Sequence, residues 1–328
     1  MTRARLLFAC LLLTGCAASK PPADADETYG VLELRADAED LRAIVNEPWI
    51  LRFLAATEQL SPVPPRTLMV DAERKVAYTR KEAAELPAAE QAGLHKETFD
   101  DTYYFTTRFG TPLAYVRPFQ VLAGAGLADV KGKKVLDFGH GMITQLQLLA
   151  RIGADVVGVD VDPVARALYS FPGDQGPLGE GHLRLVTGAW PGDEATRAAT
   201  GGGYDVILSK NVLKRGYIHP EQEVDPNKLV HLGVEDAAFL QAVQEALRPG
   251  GLFLIYNICP PPNAPGKPYV PWADGRSPFS KEALEAAGFE VLAFDVDDNG
   301  PMRRMGKLLD WPDVDRDFFA EYTLARKR

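Results

Sequence analysis

From Lys133 onward, short apolar runs alternate with amphipathic stretches. Continuous aliphatic runs predict strands at residues 134–138, 155–159, 183–187, 204–209 and 252–258. The stretches between them predict helices at 143–152, 163–169, near 194–199, at 234–247 and at 281–287, with two last strands at 289–295 and 322–325. Strands that are apolar throughout, instead of alternating with polar residues, are buried on both faces. Strand–helix alternation of this kind therefore predicts an α/β domain, a mostly parallel sheet with helices on either side.

The preceding part of the chain reads differently. Leu34, Leu41, Ile44, Val45, Ile50, Phe53 and Leu54 recur at helical steps, and the Ser61-Pro62-Val63-Pro64-Pro65 run ends the pattern. Residues 68–71 and 75–78 suit a small hairpin, and 82–92 a helix. Residues 98–121 are rich in aromatic and charged side chains: Tyr103, Tyr104, Phe105, Arg108, Tyr115 and Arg117. Two roles are open for them, a lid over a ligand or packing of this region onto the sheet. The expected organisation is thus a mainly helical extension over 31–130 followed by the α/β domain over 131–328.

Residues 1–16 read MTRARLLFACLLLTGC. Arg3 and Arg5 precede a short apolar run, too short to span a bilayer as a mature helix. The Leu13-Thr14-Gly15-Cys16 end resembles the lipobox of bacterial lipoproteins, which implies removal of the leader and lipidation of Cys16. Ala17 and Ala18 follow, with no Asp, which in that family favours the outer membrane. Residues 17–30 then serve as a flexible tether. The competing reading is a cytoplasmic protein with a start codon placed too far upstream.

Composition adds limits. Hydrophobic residues make up 46% and charged residues 25%, ordinary for a globular chain. The net charge of −9 argues against nucleic acid as a partner, since phosphate binding needs a basic face. Three cysteines and five scattered histidines show no metal-type spacing, and Cys259 has no partner left once the leader is removed.

The chemistry concentrates at the ends of the expected strands. Val135-Leu136-Asp137-Phe138-Gly139-His140-Gly141 leaves a strand for a helix, and its glycines allow a ligand close to the backbone. Asp160 ends the next strand, placed to accept two ribose hydroxyls, while Asp162 before Pro163 suits a helix N-cap. Thr187-Gly188-Ala189-Trp190-Pro191 ends the third strand, where the indole suits either an adenine neighbour or the core. Ser209-Lys210-Asn211 ends the fourth, and Leu247-Arg248-Pro249-Gly250-Gly251 opens the fifth.

This ordered set resembles the class I, Rossmann-like methyltransferases that use S-adenosylmethionine. The resemblance runs from about Lys131 to Arg328. It implies a three-layer αβα fold with an antiparallel strand near the C-terminus, and S-adenosylmethionine as cofactor. It implies that Asp137, Gly139, His140 and Gly141 border the methionine end, that Asp160 and Val161 take the ribose side, and that Gly188, Ala189 and Trp190 border the adenine. Ser209, Lys210 and Asn211 would line the floor near the sulfonium. The sequence departs from the family pattern at Ile143, where a third glycine is usual, and at Ala189, often acidic. A dinucleotide oxidoreductase would need Gly at Thr144, so its fingerprint is broken.

Long segments at 214–231, 259–279 and 297–317 are expected to emerge beside the site. Within the first, His219 and Tyr217 are candidate bases, and Arg215, like Lys210, is a candidate contact for an anionic substrate. Tyr103, Tyr104 and Arg117 are candidate lid residues. The expected acceptor is a small molecule, and the expected membrane contact is the lipid on Cys16 alone. Leader and domain conflict, because a lipoprotein faces the periplasm whereas S-adenosylmethionine is made in the cytoplasm. Three readings follow: an active small-molecule methyltransferase that is cytoplasmic, with a misplaced start; a lipid-anchored envelope protein that keeps the fold and binds a nucleoside-like ligand without catalysis; or an exported enzyme with an unrecognised cofactor supply.

Overall fold

The computed structural model describes residues 30–107 and 110–328. The expected leader, Cys16, nearly all of the tether and Arg108 lie outside the described residues.

The α/β region contains strands β4 (Lys134–Phe138), β5 (Asp155–Asp160), β6 (Gly176–Leu178), β7 (Gly181–Thr187), β8 (Tyr204–Lys210), β9 (Leu247–Cys259), β10 (Phe289–Asp297) and β11 (Phe319–Lys327). The extension contributes β1 (Arg66–Asp71), β2 (Val76–Thr79) and β3 (His95–Phe99). The large sheet has the order β10-β11-β9-β8-β4-β5-β7-β6. Strands β7, β5, β4, β8 and β9 pair in parallel. Strand β11 runs antiparallel to both its neighbours, β9 and β10, and β6 is a short antiparallel edge. This is the mostly parallel α/β sheet expected from the continuous apolar runs, with the antiparallel strand inserted one place in from the end.

Alternate residues of each strand feed two cores. Val135, Val156, Val206, Leu208 and Leu254 face one layer, with Leu146 and Leu149 of the helix Thr144–Arg151 and Phe119 of the helix Val116–Gly124. Leu136, Val157, Ile207 and Phe253 face the other, against Phe239 and Val243 of the helix Asp236–Ala246. Trp49 and Phe53 of the extension belong to the first core, so extension and sheet share one apolar interior. The helix Pro163–Leu168 starts where proposed: the Asp162 side chain accepts from Val164 N, and Pro163 occupies the first turn.

The structure departs from expectation in three places. The extension holds more than the expected hairpin: β1 and β2 form it, and β3 adds a third strand on the other side of β1. The stretch 82–92 is two short helices, Arg80–Ala84 and Ala88–Gln91, separated at Pro87, whose ring and missing N–H break a continuous helix. The segment 297–317 is not a loop. It holds the helix Asn299–Leu308, which docks Met302 and Met305 in the core. Among the described residues, no helix is long and apolar enough to cross a membrane.

Candidate functional site

Parallel register brings the carboxyl ends of the strands to one edge. Asp137 pairs with Gly158 and Leu208, and Asp160 with Thr187. Sheet order reverses at β4, with β5 on one side and β8 on the other. Ligands of open α/β sheets bind outside the strand ends at such a switch point.

The turn after β4 is built for close approach. Gly139 and Gly141 have φ of 71° and 61°, in the left-handed region. A Cβ on Gly139 would lie 2.5 Å from Val212 Cγ2. Replacing Gly139 by Ala should therefore destabilise the fold by roughly 1–3 kcal/mol through backbone strain plus steric clash. Adding Val212→Ala should recover the steric part only, as read by chemical denaturation of the single and double variants.

Asp160 already organises this turn. Its Oδ2 accepts from Gly141 N at 2.9 Å and its Oδ1 from Asp162 N at 2.9 Å, and the carboxylate remains half-exposed. Beside it, Val161 is 66% exposed, unlike the buried apolar residues of β5. A cavity of about 150 Å³ opens next to Asp160, bordered by His140, Arg166, Gln175, Leu185 and Thr187.

Asp137 is 1% exposed. Its Oδ2 accepts from the Tyr115 hydroxyl at 2.8 Å and from Gln145 Nε2 at 3.2 Å, while its Oδ1 is buried without a partner. Burial pushes its carboxyl up, opposed by those two hydrogen bonds. Burial and the adjacent carboxylate together hold the Tyr115 phenol well above its usual range. Lys210, at the end of β8, is 8% exposed with its ammonium 5.2 Å from the Tyr115 ring centroid. Burial pulls its pKa down to about 8, Asp137 opposing and Lys214 adding to the shift.

The other sequence candidates divide. Ser209 is fully buried, its Oγ unpartnered. Asn211, at φ 67°, accepts from Ile258 N at 2.7 Å and so ties β8 to β9. Gly188 has no room for a side chain, as a Cβ would collide with Thr196 Oγ1. Ala189 is exposed. Trp190 departs from the adenine-bordering expectation: it is 2% exposed and packs edge-on against Phe138 and Phe239, where its large apolar area is worth more than at a rim. Val161 is an exposed apolar side chain at the end of β5. His140 is buried with Nδ1 unpartnered.

All three lid candidates make packing contacts. Tyr104 is buried, donating to Asp174 Oδ1 at 2.8 Å. Arg117 makes a two-pronged contact with Asp298 at 2.9 and 2.7 Å. Tyr103, half-buried, packs on Phe99 with ring centroids 4.7 Å apart. On the segment after β8, His219 is exposed with Nε2 2.8 Å from Asp236 Oδ2, Tyr217 lies against the Lys214 ammonium, and Arg215 is exposed beside Asp274. The structure brings Asp137, Lys210 and Tyr115 together, and separately Asp160 with the glycine turn. Gln145 escaped the sequence reading. Its signal was a polar side chain inside the apolar run that ends in Leu146, Leu148 and Leu149.

No family model matches the chain. The sequence is 28% identical over 127 residues to the mitochondrial ubiquinone biosynthesis O-methyltransferase of Schizosaccharomyces pombe, over 39% of this chain and 38% of that protein. It is 27% identical over 128 residues to the ubiquinone biosynthesis O-methyltransferase of Cereibacter sphaeroides, over 39% of this chain and 42% of that protein. These curated relatives are O-methyltransferases. The chain spans 38% and 42% of the length of the two relatives it matches. Among solved structures, it is similar to Haemonchus contortus phospholethanolamine N-methyltransferase 2 in complex with phosphomonomethylethanolamine and S-adenosylhomocysteine, at 15% identity and a TM-score of 0.42, covering 71% of this chain and 62% of that one.

Proposed function

We propose that residues 131–328 form a class I methyltransferase domain that binds S-adenosylmethionine at the carboxyl edge of the sheet and methylates a small-molecule acceptor. The observation that carries this reading is the layout at the switch point. A half-exposed acid, Asp160, stands beside an exposed Val161, a glycine turn and a cavity, with the unpartnered Oδ1 of Asp137 on the neighbouring strand. These residues fit the cofactor. Asp160 retains lone pairs for ribose hydroxyls, Val161 offers an apolar surface to the adenine, and the left-handed backbone of Gly139 and Gly141 shapes the turn beside them.

When bound, the cofactor supplies an activated methyl group. The chain's own contribution is then to orient the acceptor and take its proton. His219 is the candidate base: Nε2 is committed to Asp236, which leaves Nδ1 to receive a proton from an acceptor hydroxyl. The leader reading extends the proposal to a lipid anchor at Cys16 on the periplasmic side, with 31–130 as an extension covering the sheet. A protein starting downstream of the leader would instead be cytoplasmic.

Titration calorimetry tests the core of this. S-adenosylmethionine and S-adenosylhomocysteine should bind the protein with micromolar affinity. Absence of binding at millimolar ligand would leave a lipid-anchored protein on a methyltransferase-like fold.

A further inference from the structure

Asn257 of β9 and Glu321 of β11 stand opposite each other in the antiparallel ladder. They lie on the face that carries Phe253, Ile255 and Ala325 into the second core. Asn257 is fully buried. Its Nδ2 donates to Leu213 O and to Gly275 O, each at 2.8 Å. One side chain thus holds both the segment after β8 and the loop after β9. The two are also joined directly, as Arg215 N donates to Arg276 O at 2.8 Å and Gly216 N to Asp274 O at 3.3 Å. Asn257 Oδ1, however, is buried without a donor. A buried amide oxygen left unpaired is costly, so the site calls for a donor.

Glu321 is the neighbour placed to supply one. Directly opposed residues of antiparallel strands have Cβ atoms about 5 Å apart. Gly275 covers both: a Cβ there would stand 3.4 Å from Asn257 Cβ and 3.7 Å from Glu321 Oε2. An ionised carboxylate only accepts and offers Asn257 Oδ1 nothing, whereas a protonated one carries an O–H. The surroundings favour the proton. Glu321 is half-buried, and among the described residues no hydrogen bond reaches its carboxyl. Burial, with Asp295 and Asp297 of β10 and Asp274 of the loop after β9, pushes it up to about 7. Arg276 opposes them, with its guanidinium already committed to Asp274 and Glu221. Cys259, also beneath Gly275, is pushed up by burial, with Lys214 opposing, and stays a neutral thiol near pH 7.

We propose that Glu321 is a proton-operated latch: as a neutral acid it donates to Asn257 Oδ1 and closes the clamp between residues 213–216 and 274–276, and as a carboxylate it releases it. The latch sets how firmly the segment carrying Arg215 and His219 is held, and it does not depend on the cofactor reading above. The closed state raises the carboxyl above its value in a released side chain, so it binds the proton more tightly. The clamp is therefore firm below about pH 7, and its hold is lost as the pH rises through that value.

Hydrogen exchange of the full-length protein tests this. It is read at the Arg215 and Gly216 amides, which donate across the junction, and is corrected for the pH dependence of intrinsic exchange. Between about pH 6 and 8.5 the opening of these amides in the wild type should rise roughly 5–10-fold, while amides of β4 and β5 keep their protection. Glu321→Gln supplies a permanent donor without charge and should stay closed across the range. Glu321→Leu, neutral but without a donor, should be equally flat with pH and more open than Glu321→Gln. A wild-type profile flat with pH overturns the latch, and so does a rise that persists in Glu321→Gln. The latter would trace the change to another group, such as the His219–Asp236 pair. Equal protection in Glu321→Gln and Glu321→Leu overturns the donation to Asn257.

Discussion

Asp160→Ala is expected to weaken S-adenosylhomocysteine binding by about 100-fold or more, as two hydrogen bonds to a charged acceptor contribute roughly 1.5–3 kcal/mol each. The variant removes a carboxylate that also accepts from Gly141 N and Asp162 N. Two effects therefore add: loss of the ribose acceptor and loosening of the glycine turn. Asp160→Asn separates them. Its amide oxygen can keep one of the two N–H bonds while forfeiting the charge, so it should fall between wild type and Ala. Calorimetric titration checks the affinities, and thermal melting of each variant without ligand checks that the fold survives. An affinity for Asp160→Ala within threefold of wild type would remove the ribose from this edge of the sheet.

Asp298→Ala should be strongly destabilising. The Asp298 side chain is 5% exposed and that of Arg117 15%. The carboxylate receives both prongs of the Arg117 guanidinium and the Tyr256 hydroxyl at 2.6 Å. Removing it strands a buried cation and a buried hydroxyl, which by analogy with broken buried pairs costs about 3–5 kcal/mol. A urea transition with a lowered midpoint and an unchanged slope is the expected result. Combining Asp298→Ala with Arg117→Met should recover a large part of that loss, because no unpaired charge then remains. Additive effects in the double variant would show that the pair is not coupled.

The parts legible in the sequence are those where burial is written locally. Val156-Val157-Gly158-Val159 and Val206-Ile207-Leu208 can be read as two-faced strands because every residue is apolar. Asp137 and Asp160 stand out because glycines or strand ends adjoin them. The helix Asn299–Leu308 was hidden by Gly300, Pro301, Gly306 and two adjacent arginines, although Met302, Met305 and Leu309 keep the helical step. Strand β3, with the sequence HKETF, carries no apolar alternation because it lies at the edge of its sheet and exposes polar side chains. Pairings across the fold were beyond reach. Tyr115 and Asp137 are 22 residues apart, and Arg117 and Asp298 are 181 apart, so no local pattern links them. Trp190 shows a further limit: an aromatic beside a strand-end glycine has the same local signature whether it meets a ligand or, as here, Phe138 and Phe239.

The two N–H bonds that Asp160 accepts from Gly141 and Asp162 also bear on kinetics. A ribose arriving at this edge meets a loop already fixed in shape, so the entropy of ordering that loop is lost during folding and not again on association. Encounter should then be limited by orientation of the nucleoside, with little slow rearrangement afterwards, and ligands of different strength should differ mainly in how long they stay.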